Sequence, residues 1–152
     1  MTRVLVIGGS GQLGIELTRA ALPPVWSLSV PARDMLDLTN ASAVATFVTA
    51  QRPDIIINAS AYTAVDQAER EPDLAFALNR DGPSALAQAA AAVDAALVHV
   101  STDYVFPGDG DRAYLETDPK SPLGVYGRSK AEGEDAVLAT GARAAIVRTS
   151  WV

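Results

Sequence analysis

The sequence predicts an α/β fold with a doubly wound parallel sheet, and three observations carry that prediction. Short apolar runs recur along the chain, with segments of helical spacing between them. The third run, Asp54-Ile55-Ile56-Ile57-Asn58, is apolar at consecutive positions, as in a parallel strand covered by helices on both faces. A glycine-rich turn joins the first run directly to the first helical segment.

Taken in order, Val4-Leu5-Val6-Ile7 reads as the first strand, and residues 15–22 as a helix ended by Pro23-Pro24. Residues 26–30 form a second strand. Residues 42–51 form a second helix, capped by Asn40 or Ser42 and stopped by Arg52-Pro53. After the third strand comes an Ala-rich helical stretch, 64–94, with interruptions near Pro72 and near Gly82-Pro83. The spacing of Leu74, Leu78, Leu86 and Val93 marks it as packed helix rather than low-complexity sequence. Residues 96–101 give a fourth strand, and 107–124, rich in Pro, Gly and Asp, a loop. A helix over 126–139 ends at Gly141, and 144–148 starts a further strand. Such alternation implies right-handed crossovers; no repeat or linker divides the chain.

Composition narrows the functional classes. The 152 residues, 49% of them hydrophobic, suffice for one domain with a single core. Twelve Lys and Arg face 18 Asp and Glu, a net charge of −6 with no basic stripe, which argues against nucleic acid or an anionic membrane as partner. Without cysteine there is no disulfide framework or thiolate metal site, and the single His99 makes no histidine cluster. Met1-Thr2-Arg3 leads straight into a short strand, and no apolar stretch approaches the ~18 residues that span a bilayer. The expectation is a soluble, cytoplasmic domain with no metal site.

In Gly8-Gly9-Ser10-Gly11-Gln12-Leu13-Gly14, glycines at the first, fourth and seventh positions lie between strand and helix. Glycine there permits a tight turn, close approach of a pyrophosphate and close packing of helix on strand, while the helix N-terminus offers N–H groups to phosphates. This is the dinucleotide-binding turn of an NAD(P)-binding Rossmann fold, with a purely structural turn as the alternative. An acidic residue after the second strand would favour NAD by binding the adenosine ribose. Here that strand is followed by Pro31-Ala32-Arg33-Asp34, so Arg33 is available to a 2′-phosphate. That favours NADPH and leaves NADH open; a merely solvated Arg33 is the alternative.

Tyr126-Gly127-Arg128-Ser129-Lys130 sets a phenol and an ammonium one helical turn apart, on one face. A phenol handles protons near neutral pH when a cation lowers its pKa, and Lys130 is placed to do so and to hold a cofactor ribose. The alternative is an exposed helix start with a solvated lysine. At the end of the preceding strand, Ser101-Thr102-Asp103-Tyr104 puts polar groups where ligands of open α/β sheets bind. A hydroxyl there can bond a substrate carbonyl, or simply cap the turn. His99 reads as a structural residue within the strand.

These motifs, together with Arg52-Pro53-Asp54-Ile55-Ile56-Ile57-Asn58, Ala61-Tyr62-Thr63-Ala64-Val65-Asp66, Val105-Phe106 and Arg148-Thr149-Ser150-Trp151, resemble the dTDP-4-dehydrorhamnose reductases, within the extended short-chain dehydrogenases/reductases. The resemblance implies NAD(P)H-dependent reduction of the C4 keto group of dTDP-4-dehydro-L-rhamnose, which yields dTDP-L-rhamnose for cell-surface polysaccharide. It makes Tyr126 the general acid, Lys130 its tuning cation and ribose ligand, and Thr102 the counterpart of a catalytic serine. It places Gly11, Gln12 and Leu13 at the pyrophosphate, with Gly8 and Gly14 of the same turn among the cofactor-binding residues, Asp37 and Leu38 at the adenine, Ala61, Tyr62 and Thr63 along the cofactor, and Val100 at the nicotinamide. Thr102, Asp103 and Trp151 would meet the sugar nucleotide, and Asn79 would support the site from its helix.

Family members are much longer than this chain. Residues 1–152 then correspond to the dinucleotide-binding domain, with the family's C-terminal substrate domain outside the chain. A homodimer is expected only of the longer form, and the magnesium of some members would be held outside these residues. Two alternatives accompany the reductase: a non-catalytic regulatory subunit of the methionine adenosyltransferase type, and a sugar-nucleotide epimerase or dehydratase of the same superfamily.

Overall fold

The structure, a computed structural model, describes residues 1–151. Five strands, β1 (Thr2–Ile7), β2 (Trp26–Ser29), β3 (Ile55–Asn58), β4 (Ala96–Thr102) and β5 (Ala144–Thr149), form one parallel sheet in the order β2-β1-β3-β4-β5. Between them run α1 (Gln12–Arg19), α2 (Ala41–Gln51), α3 (Val65–Ala68), α4 (Pro72–Phe76), α5 (Gly82–Ala92) and α6 (Val125–Ala139). From β1 the chain steps outward to β2, then returns through α2 to β3, which pairs with β1 as Ile7 beside Asn58. The order therefore reverses between β1 and β3, and a crevice opens beyond the carboxyl ends of these strands.

The core lies on the face covered by α2, α5 and α6. Leu5, Ile7, Ile56 and Leu97 of the sheet meet Val44 and Val48 of α2, Leu86 and Ala90 of α5, and Val137 of α6. The alanines of α5 explain its composition: small side chains let it pack closely against α2, α6 and the sheet. Right-handed crossovers put α1 on the opposite face. There the outer strands are covered less, and Val147 of β5 is 43% exposed.

The boundaries follow the expected chemistry with small shifts. Asn40, not Ser42, caps α2, its side chain accepting from the Ala43 N–H at 3.0 Å. Arg52 takes a left-handed conformation (φ 44°) that ends α2 before Pro53. Helix α1 starts at Gln12 rather than 15, because Gly11 already closes the turn by donating to the Gly8 carbonyl at 3.0 Å. It ends at Arg19 rather than 22, the chain turning extended at Ala20 ahead of the two prolines.

The expected interruption at Gly82-Pro83 is not found. Helix α4, which begins with Pro72 at its first position, runs through a π-helical turn (Ala77–Asp81) directly into α5. Pro83 lacks the N–H that a regular helix would bond to residue 79, and its ring would crowd that carbonyl. The widened turn relieves both conflicts, so the helix absorbs the proline instead of breaking.

Candidate active site

A groove of about 730 Å³ follows the carboxyl ends of β1 to β4. One end is made by Gly8, Gly11, Gln12 and Leu13, with Arg33, Asp37 and Leu38 beyond β2. Ala61 and Thr63 line its middle, and Val100, Tyr126 and Lys130 its far end. Gly8 has φ +89°, and a Cβ there would lie 2.6 Å from the Ser60 nitrogen. A Cβ on Gly14 would lie 2.1 Å from the Gly8 carbonyl oxygen. Gly14 thus does not line the groove; it lets α1 sit on the turn, with its leading N–H groups, which no side chain caps, at the floor.

At the far end, buried Lys130 donates from Nζ to the Val100 carbonyl at 2.7 Å. Burial pushes this ammonium down to about 8, against the opposing pull of Glu134. Burial also pushes the Tyr126 phenol up from its ordinary value, and the adjacent Thr102 hydroxyl pulls it back only in part. Lys130 is not among the groups that move Tyr126; its ammonium donates to the Val100 carbonyl. The ring of Tyr126 meets Tyr104 edge-on at 5.5 Å.

Thr102 is buried at the end of β4, donating to Asp103 Oδ1 at 3.1 Å and accepting from the Tyr104 N–H at 3.2 Å. It caps the turn while its hydroxyl stands beside the phenol. Asp103 accepts from the Ser150 hydroxyl at 2.6 Å, which joins the ends of β4 and β5. Trp151 is not brought to the groove: it is fully exposed just after β5. Tyr62 also departs from expectation, its phenol turning away to donate to Glu71 Oε2 at 2.6 Å. That bond pushes the Tyr62 pKa up to about 12.

The π-helical turn brings Asn79 to this region. Its carboxamide accepts from the Tyr62 N–H at 2.8 Å, donates to the Tyr62 carbonyl at 3.1 Å, and donates to Ser129 Oγ at 2.9 Å. Ser129 in turn donates to the Tyr126 carbonyl at 2.8 Å, so one buried amide ties the segment after β3 to α6. Glu69 secures the start of α6, accepting from the Val125 N–H at 2.6 Å. Sequence reasoning missed Glu69, since a cap supplied from another element leaves no local signal. Ser60 and Thr149 were missed as groove residues too, although both follow or end strands at the correct edge of the sheet.

His99 is buried in β4 and accepts through Nδ1 from the Asn58 amide at 3.1 Å; Asn58 is oriented by accepting from the Ser60 N–H and hydroxyl. Burial, with nearby Lys130, pushes its pKa down to about 3. The folded chain keeps this imidazole neutral below pH 6.5, where the unfolded chain binds a proton, so stability falls as pH drops from about 6.5 towards 3. Urea denaturation at pH 7 and pH 5 is expected to show a loss of about 2 kcal/mol from this residue. A His99→Gln variant losing as much stability between those pH values as the parent chain contradicts this assignment.

Among the described residues no helix is long and apolar enough to cross a membrane, and no group of three or more His, Cys, Asp or Glu is arranged to hold a metal ion.

Comparison with known proteins agrees with this geometry. The RmlD substrate binding domain family matches residues 1–152. A dTDP-4-dehydrorhamnose reductase of Sinorhizobium fredii is 48% identical over 150 residues, 99% of this chain and 50% of that protein. The one from Escherichia coli is 47% identical over 152 residues, 98% of this chain and 51% of that protein. The crystal structure of the Bacillus anthracis dTDP-4-dehydrorhamnose reductase in complex with NADP superposes with a TM-score of 0.96 at 43% identity, over 99% of this chain and 54% of that one. A UDP-Glc/GlcNAc 4-epimerase from Campylobacter jejuni, 21% identical with a TM-score of 0.84 over 97% of this chain and 53% of that one, shares the fold. The chain spans about half the length of the curated relatives it matches. It belongs to the RmlD substrate binding domain family.

Proposed function

We propose that residues 1–152 are the cofactor-binding and proton-donating half of an NAD(P)H-dependent reductase acting on dTDP-4-dehydro-L-rhamnose. The observation that carries this is the single groove that has the glycine turn at one end and the Tyr126–Lys130 pair at the other. The residues fit a dinucleotide: the backbone cradle at Gly8 and Gly14 leaves no room for a Cβ, and the groove has the volume of a cofactor site. The names of the relatives supply the substrate.

When bound, the reduced nicotinamide supplies hydride to the C4 carbonyl carbon. The chain's own residues handle the oxygen. As it gains negative charge, the Thr102 hydroxyl turns from Asp103 to donate a hydrogen bond to it, and Tyr126 transfers its phenolic proton to give the alcohol, leaving a phenolate. A phenol whose pKa is raised suits an acid, because it still holds its proton when the oxyanion forms. Lys130 anchors the α6 side of the site to the Val100 carbonyl and presents its remaining N–H donors to a ribose. Neither Tyr62, whose phenol is held by Glu71 and whose backbone is held by Asn79, nor the exposed Trp151 lines the groove.

Arg33 lines the groove beyond β2 and makes no ion pair among the described residues. A 2′-phosphate there would gain a bidentate partner, so the cofactor of choice is NADPH. Replacing Arg33 by Ala is expected to weaken NADPH about tenfold and NADH hardly at all. Fluorescence titration of this chain with both cofactors tests the reading. Equal losses for the two would remove Arg33 from the phosphate site, and no binding of either would overturn the cofactor assignment.

The alternatives are less favoured. Shared fold leaves an epimerase open, but the relatives at 47–48% identity are reductases. A purely regulatory role leaves the retained Tyr126, Lys130 and Thr102 unexplained.

A further inference from the structure

Lys130 and Glu134 are the two ionised side chains that are fully buried among the described residues, and only the first has a part in the reaction as proposed. Glu134 lies in α6 one turn after Lys130 and is 1% exposed. Its Oε1 accepts from the Ser101 hydroxyl at 2.6 Å and from Arg148 Nε at 2.9 Å. Its Oε2 accepts from Arg148 Nη2 at 2.7 Å, and Lys120 Nζ stands 3.3 Å away. A single carboxylate thus gathers α6, the end of β4, β5 and the loop before α6.

The position of Ser101 gives this cluster its meaning. Val100, just before it, supplies the carbonyl that accepts from Lys130; Thr102, just after it, supplies the hydroxyl beside Tyr126. Tying Ser101 to α6 therefore sets the spacing between the helix that carries Tyr126 and Lys130 and the strand end that carries their partners. A hydrophobic residue at 134 would pack the same space but could not hold three elements by directed bonds.

We propose that Glu134 is a positioning residue of the site: through Ser101 and Arg148 it holds the ends of β4 and β5 against α6, so that the Val100 carbonyl meets the Lys130 ammonium. The inference rests on the reading of Tyr126 and Lys130 as the working pair. Its charge acts as well. The groups facing Lys130 are neutral His99 from β4, protonated Tyr126 and Glu134 from α6, and, through Glu134, Arg148 from β5 and Lys120 from the loop. Glu134 is the anion of this set and opposes the effect of burial on Lys130.

Only two lysines occur in the chain, Lys120 and Lys130. Lysine labelled with 13C at Cε therefore gives two NMR signals, assigned with Lys120→Arg. In the parent chain the Lys130 signal is expected to titrate with a midpoint near 8. Glu134→Gln, which keeps the shape and removes the charge, is expected to lower that midpoint by about one pH unit and to weaken NADPH severalfold. Ser101→Ala removes one bond and no charge; it is expected to weaken NADPH while leaving the midpoint in place. An unchanged midpoint and unchanged NADPH affinity in a folded Glu134→Gln chain overturn the proposal. Should that variant not fold, unchanged NADPH affinity in Ser101→Ala overturns it equally. A parent chain that binds no NADPH speaks against the cofactor reading alone, since the Lys130 titration is measured without cofactor.

Discussion

Replacing Tyr126 by Phe is expected to cut turnover of the dTDP-4-keto sugar about 10³-fold, in a polypeptide that joins this chain to the second half found in its relatives. NADPH affinity should stay nearly unchanged. Phe preserves the ring that packs edge-on against Tyr104 and the backbone carbonyl that accepts from Ser129, so the fold around the site has no reason to move. What disappears is the one proton positioned for the developing oxyanion. Thr102 cannot replace it, because an aliphatic hydroxyl stabilises an oxyanion by hydrogen bonding but is too weak an acid to surrender its proton. Steady-state kinetics with separate NADPH titration distinguishes the two roles. Turnover within about tenfold of the parent would assign the proton to another group.

The second large effect is structural. Gly14→Ala places a methyl group 2.1 Å from the Gly8 carbonyl oxygen, a contact with rigid backbone on both sides. Either α1 lifts off the turn or the turn opens, and both destroy the spacing between the helix N-terminus and the groove floor. The expected loss is about 3 kcal/mol of stability, at the upper end for overpacking, together with NADPH binding. Urea denaturation and cofactor titration measure the two consequences on the same sample. A variant with parental stability and affinity would show that the turn has slack the geometry denies.

The legible part of this molecule was whatever rests on local pattern. Alternating runs, the glycine spacing and the Tyr126–Lys130 interval each depend on residues close in sequence, and the parallel, doubly wound sheet agrees with them, while its strand order is set by contacts between distant segments. The misreadings share a cause. Pro83 signals a break because its conflict is local, whereas the π-helical turn that resolves it is anchored by Asn79 contacts to Tyr62 and Ser129, far away in sequence. Tyr62 looked like a groove residue by position, yet its phenol is captured by Glu71. The Glu69 cap and the Glu134 cluster are again long-range pairings, invisible to spacing. The bond from Lys130 to the Val100 carbonyl is a further long-range contact.

The π-helical turn between α4 and α5 can also be seen as an extra amino acid held within a helix. Five residues close a loop that four complete in regular α-geometry, so the segment from Ala77 to Asp81 carries one surplus position. Loss of that position would turn residues on one side by roughly 100° relative to the other and would return Pro83 to its conflict with the preceding turn. Asn79 would then face elsewhere, and Tyr62 and Ser129 would lose their common partner. The support of this site and the uniformity of this helix are therefore mutually exclusive.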